Sequence, residues 1–357
     1  DSIAWGVTNA GRDVKDWYTV TFEDKNRKRY IWGNGFRETT MTIEEIKIRG
    51  QEPFIDTILF THFGPITYDR QFNPPEGADG LALRWRAHDA GMEFKTFYEL
   101  NKAHNFDDYI RALRHYECPA QNFVFASVHG TIALRQQGKF AQLTEGQGRL
   151  IQDGSNPNTE WGQAIPFQHI PMQVNPTREF VSSANQHAVD TSYPYYTHGQ
   201  YEYYRNRRIN RQLSRLRNAA VDDMVELQYD NFDLQAAETL PLLLSYIDES
   251  SLDSTGKRLL TILTNWDFYS DSTSKAASIY EVFYRRYETF LWDELLATDY
   301  GLNLPEEYTT YHLLKNNIDH PFIDYAKTEE VDEDQVDIVN MAFSSTVDTL
   351  QNAETLA

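Results

Sequence analysis

The chain has 357 residues, and its 41% hydrophobic and 14% aromatic content is enough to bury one large core or two moderate ones, which excludes global disorder. Its 53 acidic against 33 basic residues leave a net charge of −20, so a phosphate backbone is repelled wherever no basic patch is set apart. No apolar run reaches the roughly 18 residues of a membrane helix, and one cysteine, Cys118, excludes an internal disulfide and a thiolate metal site.

The opening residues, DSIAWGVTNAG, carry neither the basic nor the apolar region of a secretion signal. Up to about residue 185 the pattern predicts strands. Tyr18, Val20 and Phe22 alternate, as do Ile46 and Ile48, and PFIDTILFT is rich in β-branched and aromatic residues. Two helices interrupt this half, FKTFYELNKA and NFDDYIRALRHY, the second with Phe106, Tyr109, Ile110 and Leu113 at helical spacing. NFVFASVHGTIALRQQGKF predicts two strands joined near His129 and Gly130, with Gly138 closing the second. From 142 to 178 glycine, proline, asparagine and glutamine break every period, which predicts a long irregular connection of the kind that serves a site.

After residue 200 the period is helical. YEYYRNRRINRQLSRLRN, DDMVELQYDNFDLQAAETLPLLLSYIDE, GKRLLTILTNW, KAASIYEVFYRRYETFLWDELLA and DEDQVDIVNMAFSSTVDTLQNAETLA each carry an apolar stripe with charges opposite. The dense basic run, Arg205, Arg207, Arg208, Arg211, Arg215 and Arg217, is spaced as one helix whose guanidinium groups can pair with acidic neighbours. The chain is therefore expected to be α+β, with a sheet-rich domain over 1–200 and a helical one over 201–357.

Several segments, in order, resemble the penicillin amidase family of N-terminal-nucleophile hydrolases. WGVTNAGRDVKDWY is similar to the family's tryptophan-glycine-x-threonine stretch and the aspartate-rich turn after it, and THFGP to its T-x-H-G-P strand end, with Phe63 in place of a histidine. LALRW, AQNFVFASVHGTIALRQQGKF, the passage from EWGQAIPFQHIPMQVNP into SSANQHAVDTSYPYY, and YRNRRI follow in the family's order. LQYD, around Gln228 and Asp230, and the NWD of Asn265 to Asp267 come after them. Ser127 stands where the family commonly has aspartate. The resemblance covers the whole chain, most firmly to about residue 295.

That resemblance implies an internal piece of the family's β-chain, forming part of an αββα sandwich of two stacked sheets with helices outside. The parent is then a periplasmic or secreted hydrolase of N-acylated small molecules, such as a penicillin, an acyl-homoserine lactone or an acyl amino acid. Its partners are an α-chain and further β-chain segments, not nucleic acid or membrane. The family's catalytic serine opens the β-chain several tens of residues before the WGxT stretch. Asp1 is not such a nucleophile, and Ser2 is neither N-terminal nor followed by the family's opening strand, so the chain alone is expected to hydrolyse nothing.

In this chemistry the serine hydroxyl attacks an amide carbonyl, and its own α-amine, of unperturbed pKa about 8, takes the proton. The tetrahedral oxyanion needs donors, each worth on the order of 3 kcal/mol in the barrier. By resemblance these are the backbone N–H of Asn9, after the WGxT threonine, and the side-chain amide of Asn185, with Gln186 as its rival. Arg205 corresponds to the arginine that positions the asparagine at the substrate end of the site. Asp13 and Asp16, with the Lys15 carbonyl, offer oxygens to a hard cation, and the resemblance implies calcium there. The acidic group expected to complete that site is replaced by TSYPYYTH, with Asp190 nearby. The histidines show no HExxH spacing, and His62, His129, His169 and His187 are expected to be structural. The other reading is a non-catalytic module that docks a carbohydrate or peptide on its tyrosines, Tyr193, Tyr195, Tyr196, Tyr201, Tyr203 and Tyr204 being the densest group; those rings serve equally to pack a core.

Overall fold

A computed structural model describes residues 2–68, 77–199, 201–298, 303–316, 318, 320–328 and 332–356, the side chains of 353–356 excepted. The chain divides into two compact units, residues 1–202 and 203–357.

The first unit runs β1 (Ile3–Asn9), β2 (Lys15–Val20), β3 (Arg29–Trp32), β4 (Gly35–Glu38), β5 (Thr40–Ile46), β6 (Phe54–Phe60), β7 (Ile66–Tyr68), β8 (Gly80–Trp85), α1 (Glu93–Leu100), α2 (Phe106–Leu113), β9 (Gln121–Ser127), β10 (Ile132–Gln137) and β11 (Met172–Val174). Its main sheet has the order β1-β9-β10-β11, all antiparallel; β2-β8-β7 form a second sheet, and β3-β4 and β5-β6 two separate ribbons.

The main sheet is anchored by its apolar face. Phe123, Phe125 and Ala133 point the same way and are buried under Leu100, Tyr109, Ala112 and Leu113 of α1 and α2. Each such large side chain removed from water contributes roughly 1.5–3 kcal/mol. The Asn105 side chain caps α2 by accepting from the Asp108 N–H at 2.9 Å, and Asp107 and Asp108 in its first turn face the positive end of the helix dipole. Between β9 and β10 the turn holds Gly130 at φ +84°. Ser127 Oγ accepts from the Thr131 N–H at 3.2 Å, so a serine at the family's aspartate position still closes this turn.

Tyr18 and Val20 of β2 and Phe22 just beyond it are buried, as their alternation predicts, with Tyr30, Ile66 and Ala82. Phe63, at the family's histidine position, stacks on Tyr18 with ring centroids 3.8 Å apart. The alternation at Ile46 and Ile48 has a different outcome. Along β5 and β6, which form a separate two-stranded ribbon, the residues Met41, Ile43, Ile46, Phe54 and Ile55 are all at least half exposed. Residues 142–178 hold only β11 and two short 3₁₀ turns, so the irregular connection is real.

The second unit is helical: α3 (Arg205–Leu213), α4 (Val221–Gln228), α5 (Leu234–Ser245), α6 (Ser254–Thr264), α7 (Lys275–Leu291), α8 (Asp293–Leu296), α9 (Glu307–Asn316) and α10 (Gln335–Leu356). Two segments read as single helices are broken. One restarts at α5, where Asp233 accepts from the Ala236 N–H at 2.8 Å; the other breaks at Trp292, between α7 and α8. The core gathers Phe283, Tyr287 and Leu291 of α7 with Ile338, Val339 and Phe343 of α10. The basic run is not one helix: α3 carries Arg205, Arg207, Arg208 and Arg211, and Arg215 and Arg217 lie beyond its end at Leu213; within it Arg207 grips Glu238 with two bonds of 2.7 Å, and Arg208 grips Asp230 at 2.7 and 3.0 Å.

Candidate functional site

Antiparallel pairing decides what the end of β1 displays. The Ala10 N–H donates to the Ala120 carbonyl at 3.1 Å and the Val128 N–H to the Ser2 carbonyl at 3.0 Å. Both lie in the register that sets Asn9 opposite Gln121. Bonded pairs alternate along such a ladder, so even-numbered residues of β1 bond to β9 and odd-numbered ones turn away. The Asn9 N–H therefore points to the outer edge of the sheet, along which no described strand runs.

At that edge Asn185 Nδ2 donates to the Asn9 carbonyl at 3.0 Å. Asn185 adopts φ +60°, a left-handed conformation that asparagine tolerates better than most residues, and its carbonyl accepts from the Glu202 N–H at 2.9 Å. The structure thus brings Asn9 and Asn185 together. Gln186 is used differently: its Oε1 accepts from the Ala184 N–H at 2.8 Å and its Nε2 donates to the Ser182 carbonyl at 3.3 Å, closing its own turn.

Three polar residues that the sequence did not single out surround this pair. Gln121 Nε2 donates to Asn9 Oδ1 at 2.8 Å. Asn122 Nδ2 donates to Ser183 Oγ at 2.7 Å and to the Asn9 carbonyl at 3.3 Å, and Ser183 Oγ lies 2.8 Å from Thr8 Oγ1. The signal that could have found Asn122 is the pair of amides, Gln121 and Asn122, at the head of an apolar strand; Asn122 is 3% exposed.

Beyond Asn185, residues 187–190 and 192–194 line an open cavity of about 500 Å³. The loop returns to the chain after β1, where Arg12 bridges to Gly199; a Cβ there would come within 2.2 Å of the Gly11 carbonyl oxygen, so only glycine fits. Arg12 is buried over Phe140, 4.0 Å from its centroid. Burial lowers the guanidinium's pKa, and the Tyr193 hydroxyl opposes that shift.

Asp13 and Asp16 lie in the turn after Arg12. Asp16 accepts from the Gly148 N–H and from the Trp161 indole, both at 2.6 Å, and Asp13 accepts from the Lys15 N–H at 3.3 Å. Burial raises the pKa of both carboxyls, that of Asp13 to about 6. Calcium takes six to eight oxygens, and among the described residues no group of three or more His, Cys, Asp or Glu is arranged to hold a metal ion. Arg205 opens α3 in the second unit. Ser2 precedes β1, and Asp1 lies outside the described residues.

His62 sits between Tyr30 Oη, 2.7 Å from its Nδ1, and Glu160, 2.9 Å from its Nε2. His169 Nδ1 lies 2.7 Å from Tyr195 Oη, and the His187 ring packs on Tyr201 at 3.6 Å. Cys118 is buried, with its thiol pushed up to about 11, and so is a poor nucleophile.

A family model described as penicillin amidase matches residues 1–356. Among curated proteins, the penicillin acylase 2 proenzyme of Pseudomonas sp. (strain SE83) is 27% identical over 285 residues, covering 79% of this chain and 36% of that protein. The chain thus spans little more than a third of that relative's length. Among solved structures, a thermostable penicillin G acylase from Alcaligenes faecalis superposes with a TM-score of 0.76 at 20% identity, over 98% of this chain and 67% of that one.

Proposed function

Since the chain belongs to the penicillin amidase family, we propose that it is part of an amide hydrolase and that the Asn9 N–H and the Asn185 side-chain amide form its oxyanion site. The observation that carries this reading is the 3.0 Å bond from Asn185 to the Asn9 carbonyl, at an edge toward which the Asn9 N–H also points. A substrate carbonyl lying along that edge would direct its oxygen at both donors.

The nucleophile in this reading is an N-terminal serine from outside these 357 residues. Its hydroxyl adds to the acyl carbon, and its α-amine takes the proton and passes it to the departing nitrogen as the C–N bond breaks. Water then hydrolyses the acyl ester, and the same two donors hold the negative oxygen in both steps. The substrates are N-acylated small molecules of the penicillin or acyl-homoserine lactone kind, and the parent works in the periplasm or outside the cell, a setting with which a chain of one cysteine is compatible.

In the protein as its gene encodes it, Asn185→Ala lowers turnover of an acyl anilide about a hundredfold or more while unfolding is unchanged. Wild-type turnover in that variant overturns the reading.

Calcium belongs to the proposal only as a structural ion that neutralises Asp13 and Asp16, with further oxygens from beyond the described residues. The Gly148 N–H and the Trp161 indole each take one lone pair of a different Asp16 oxygen, which leaves one on each. Millimolar calcium should then raise the midpoint of thermal unfolding by several degrees, and EGTA should reverse it; no shift removes calcium from the reading.

A further inference from the structure

The amide of Asn122 touches the Asn9 peptide, one half of the proposed oxyanion site, and Ser183, two residues before the other half. Asn122 and Thr8 are directly opposite in the β1–β9 register, so their side chains leave the sheet on the same face. On that face three segments meet: the end of β1, the start of β9 and the turn at 182–186. Asn122 Nδ2 donates to the Asn9 carbonyl at 3.3 Å and to Ser183 Oγ at 2.7 Å, and Ser183 Oγ is 2.8 Å from Thr8 Oγ1. Ser183 stands two residues before Asn185, whose own amide returns to the same Asn9 carbonyl at 3.0 Å. One buried amide thereby clamps the donor-bearing peptide of Asn9 and the stem of the turn that carries Asn185.

We propose that Asn122 is a positioning residue that sets the spacing between the Asn9 N–H and the Asn185 amide, acting through the Asn9 carbonyl and Ser183. This rests on the oxyanion reading above. Its chemistry requires the two hydrogens of one primary amide, since both contacts are donations from a single nitrogen. Aspartate, which matches asparagine in shape, replaces that nitrogen with an acceptor and turns it against the Asn9 carbonyl and toward the Ser183 hydroxyl. The arrangement also explains why a polar side chain at the head of an apolar strand is buried. An asparagine that merely filled space there would leave its amide unsatisfied at a cost that a small apolar residue would avoid.

The test is a double-mutant cycle in the protein as its gene encodes it, read as kcat and KM on an acyl anilide, with wild type, Asn122→Asp, Asn185→Ala and the double variant. The expected result is that Asn122→Asp lowers kcat about tenfold with KM within about twofold, and that this loss vanishes when Asn185 is already alanine, because the Asn9 N–H then has no second donor from which to be spaced. An undiminished tenfold loss in the double variant means Asn122 supports the fold and not the donors, and overturns the proposal, as does wild-type kcat in Asn122→Asp. If Asn185→Ala alone keeps wild-type turnover, the oxyanion reading itself is wrong and this inference goes with it. Should Asn122→Asp not fold, Ser183→Ala replaces it in the same cycle, since it removes the contact to the turn and leaves the Asn9 contact in place. It is expected to lower kcat about threefold only while Asn185 is present; an equal loss in both backgrounds, or none in either, overturns the proposal.

Discussion

The ladder of β1 on β9 and that of β5 on β6 are both antiparallel and both seven residue pairs long, yet they meet opposite fates. In the first, Phe123 and Phe125 lie wholly buried beneath α1 and α2, and the strand ends carry the polar network around Asn9. In the second, Met41 and Ile43 are each 60% exposed and Phe54 and Ile55 more than half exposed. Strand pairing is the same in both, so it does not explain the difference. What distinguishes them is a layer: one ladder has a third strand beside it and helices against one face, and the other has neither among the described residues of its unit. The oxyanion site proposed above, whose donors would have to hold within a few tenths of an ångström, lies on the layered one.

The strongest way to break this comparison is to empty the layer. Phe125→Ala should cost about 3–5 kcal/mol in urea unfolding and move the amide signals of Asn9 and Asn122. A cost below about 1 kcal/mol would mean that α1 and α2 do not hold the sheet. A smaller, pH-dependent effect is expected at the base of the exposed ribbon, where His62 follows β6. Burial lowers its pKa, the nearby Arg37 charge adds to that shift, and Glu160 opposes it. The folded chain thus favours the neutral ring and binds fewer protons than the unfolded one below about pH 6.5. Stability from His62 is complete above that value and is lost as the pH falls through it toward the lower folded value. Hydrogen exchange of the Tyr30 and His62 amides, corrected for intrinsic rates, should therefore be faster at pH 5.5 than at pH 7.5, while Phe123 and Phe125 stay protected at both. Equal protection at the two pH values removes His62 as the cause. The smallest effect belongs to the ribbon itself: Ile43→Ala should change stability by less than about 0.5 kcal/mol. A loss of 2 kcal/mol or more would show that something covers that face.

What was legible in the sequence follows the same division. The period-two run at Tyr18, Val20 and Phe22 and the segment NFVFASVHGTIALRQQGKF located strands with a buried face, and the helical stripes after residue 200 located the second unit. Periodicity describes the face a segment offers, not whether a neighbour accepts it, and so Ile46 and Ile48 read like Tyr18 and Val20. The two breaks in the helical half, at Asp233 and Trp292, turn on one side-chain cap and one local backbone angle, which an apolar stripe running through them conceals. At the site, motif order pointed to Asn9 and to the neighbourhood of Asn185. Asn122 could not be placed beside them from the sequence, since 113 residues separate it from Asn9 and only the register of β9 on β1 joins them. Which of Asn185 and Gln186 faces Asn9 is decided by the backbone of the turn, and a linear pattern does not encode that angle.

The left-handed backbone at Asn185 narrows the mutational routes open to this position. Two filters act there at once: the backbone admits glycine, asparagine and aspartate most readily, while the reach to the Asn9 carbonyl demands an amide hydrogen. Glycine passes the first filter and fails the second; glutamine, strained at φ +60°, meets the reverse difficulty. Of these side chains asparagine passes both, so chain geometry and chemistry favour the same residue for unrelated reasons.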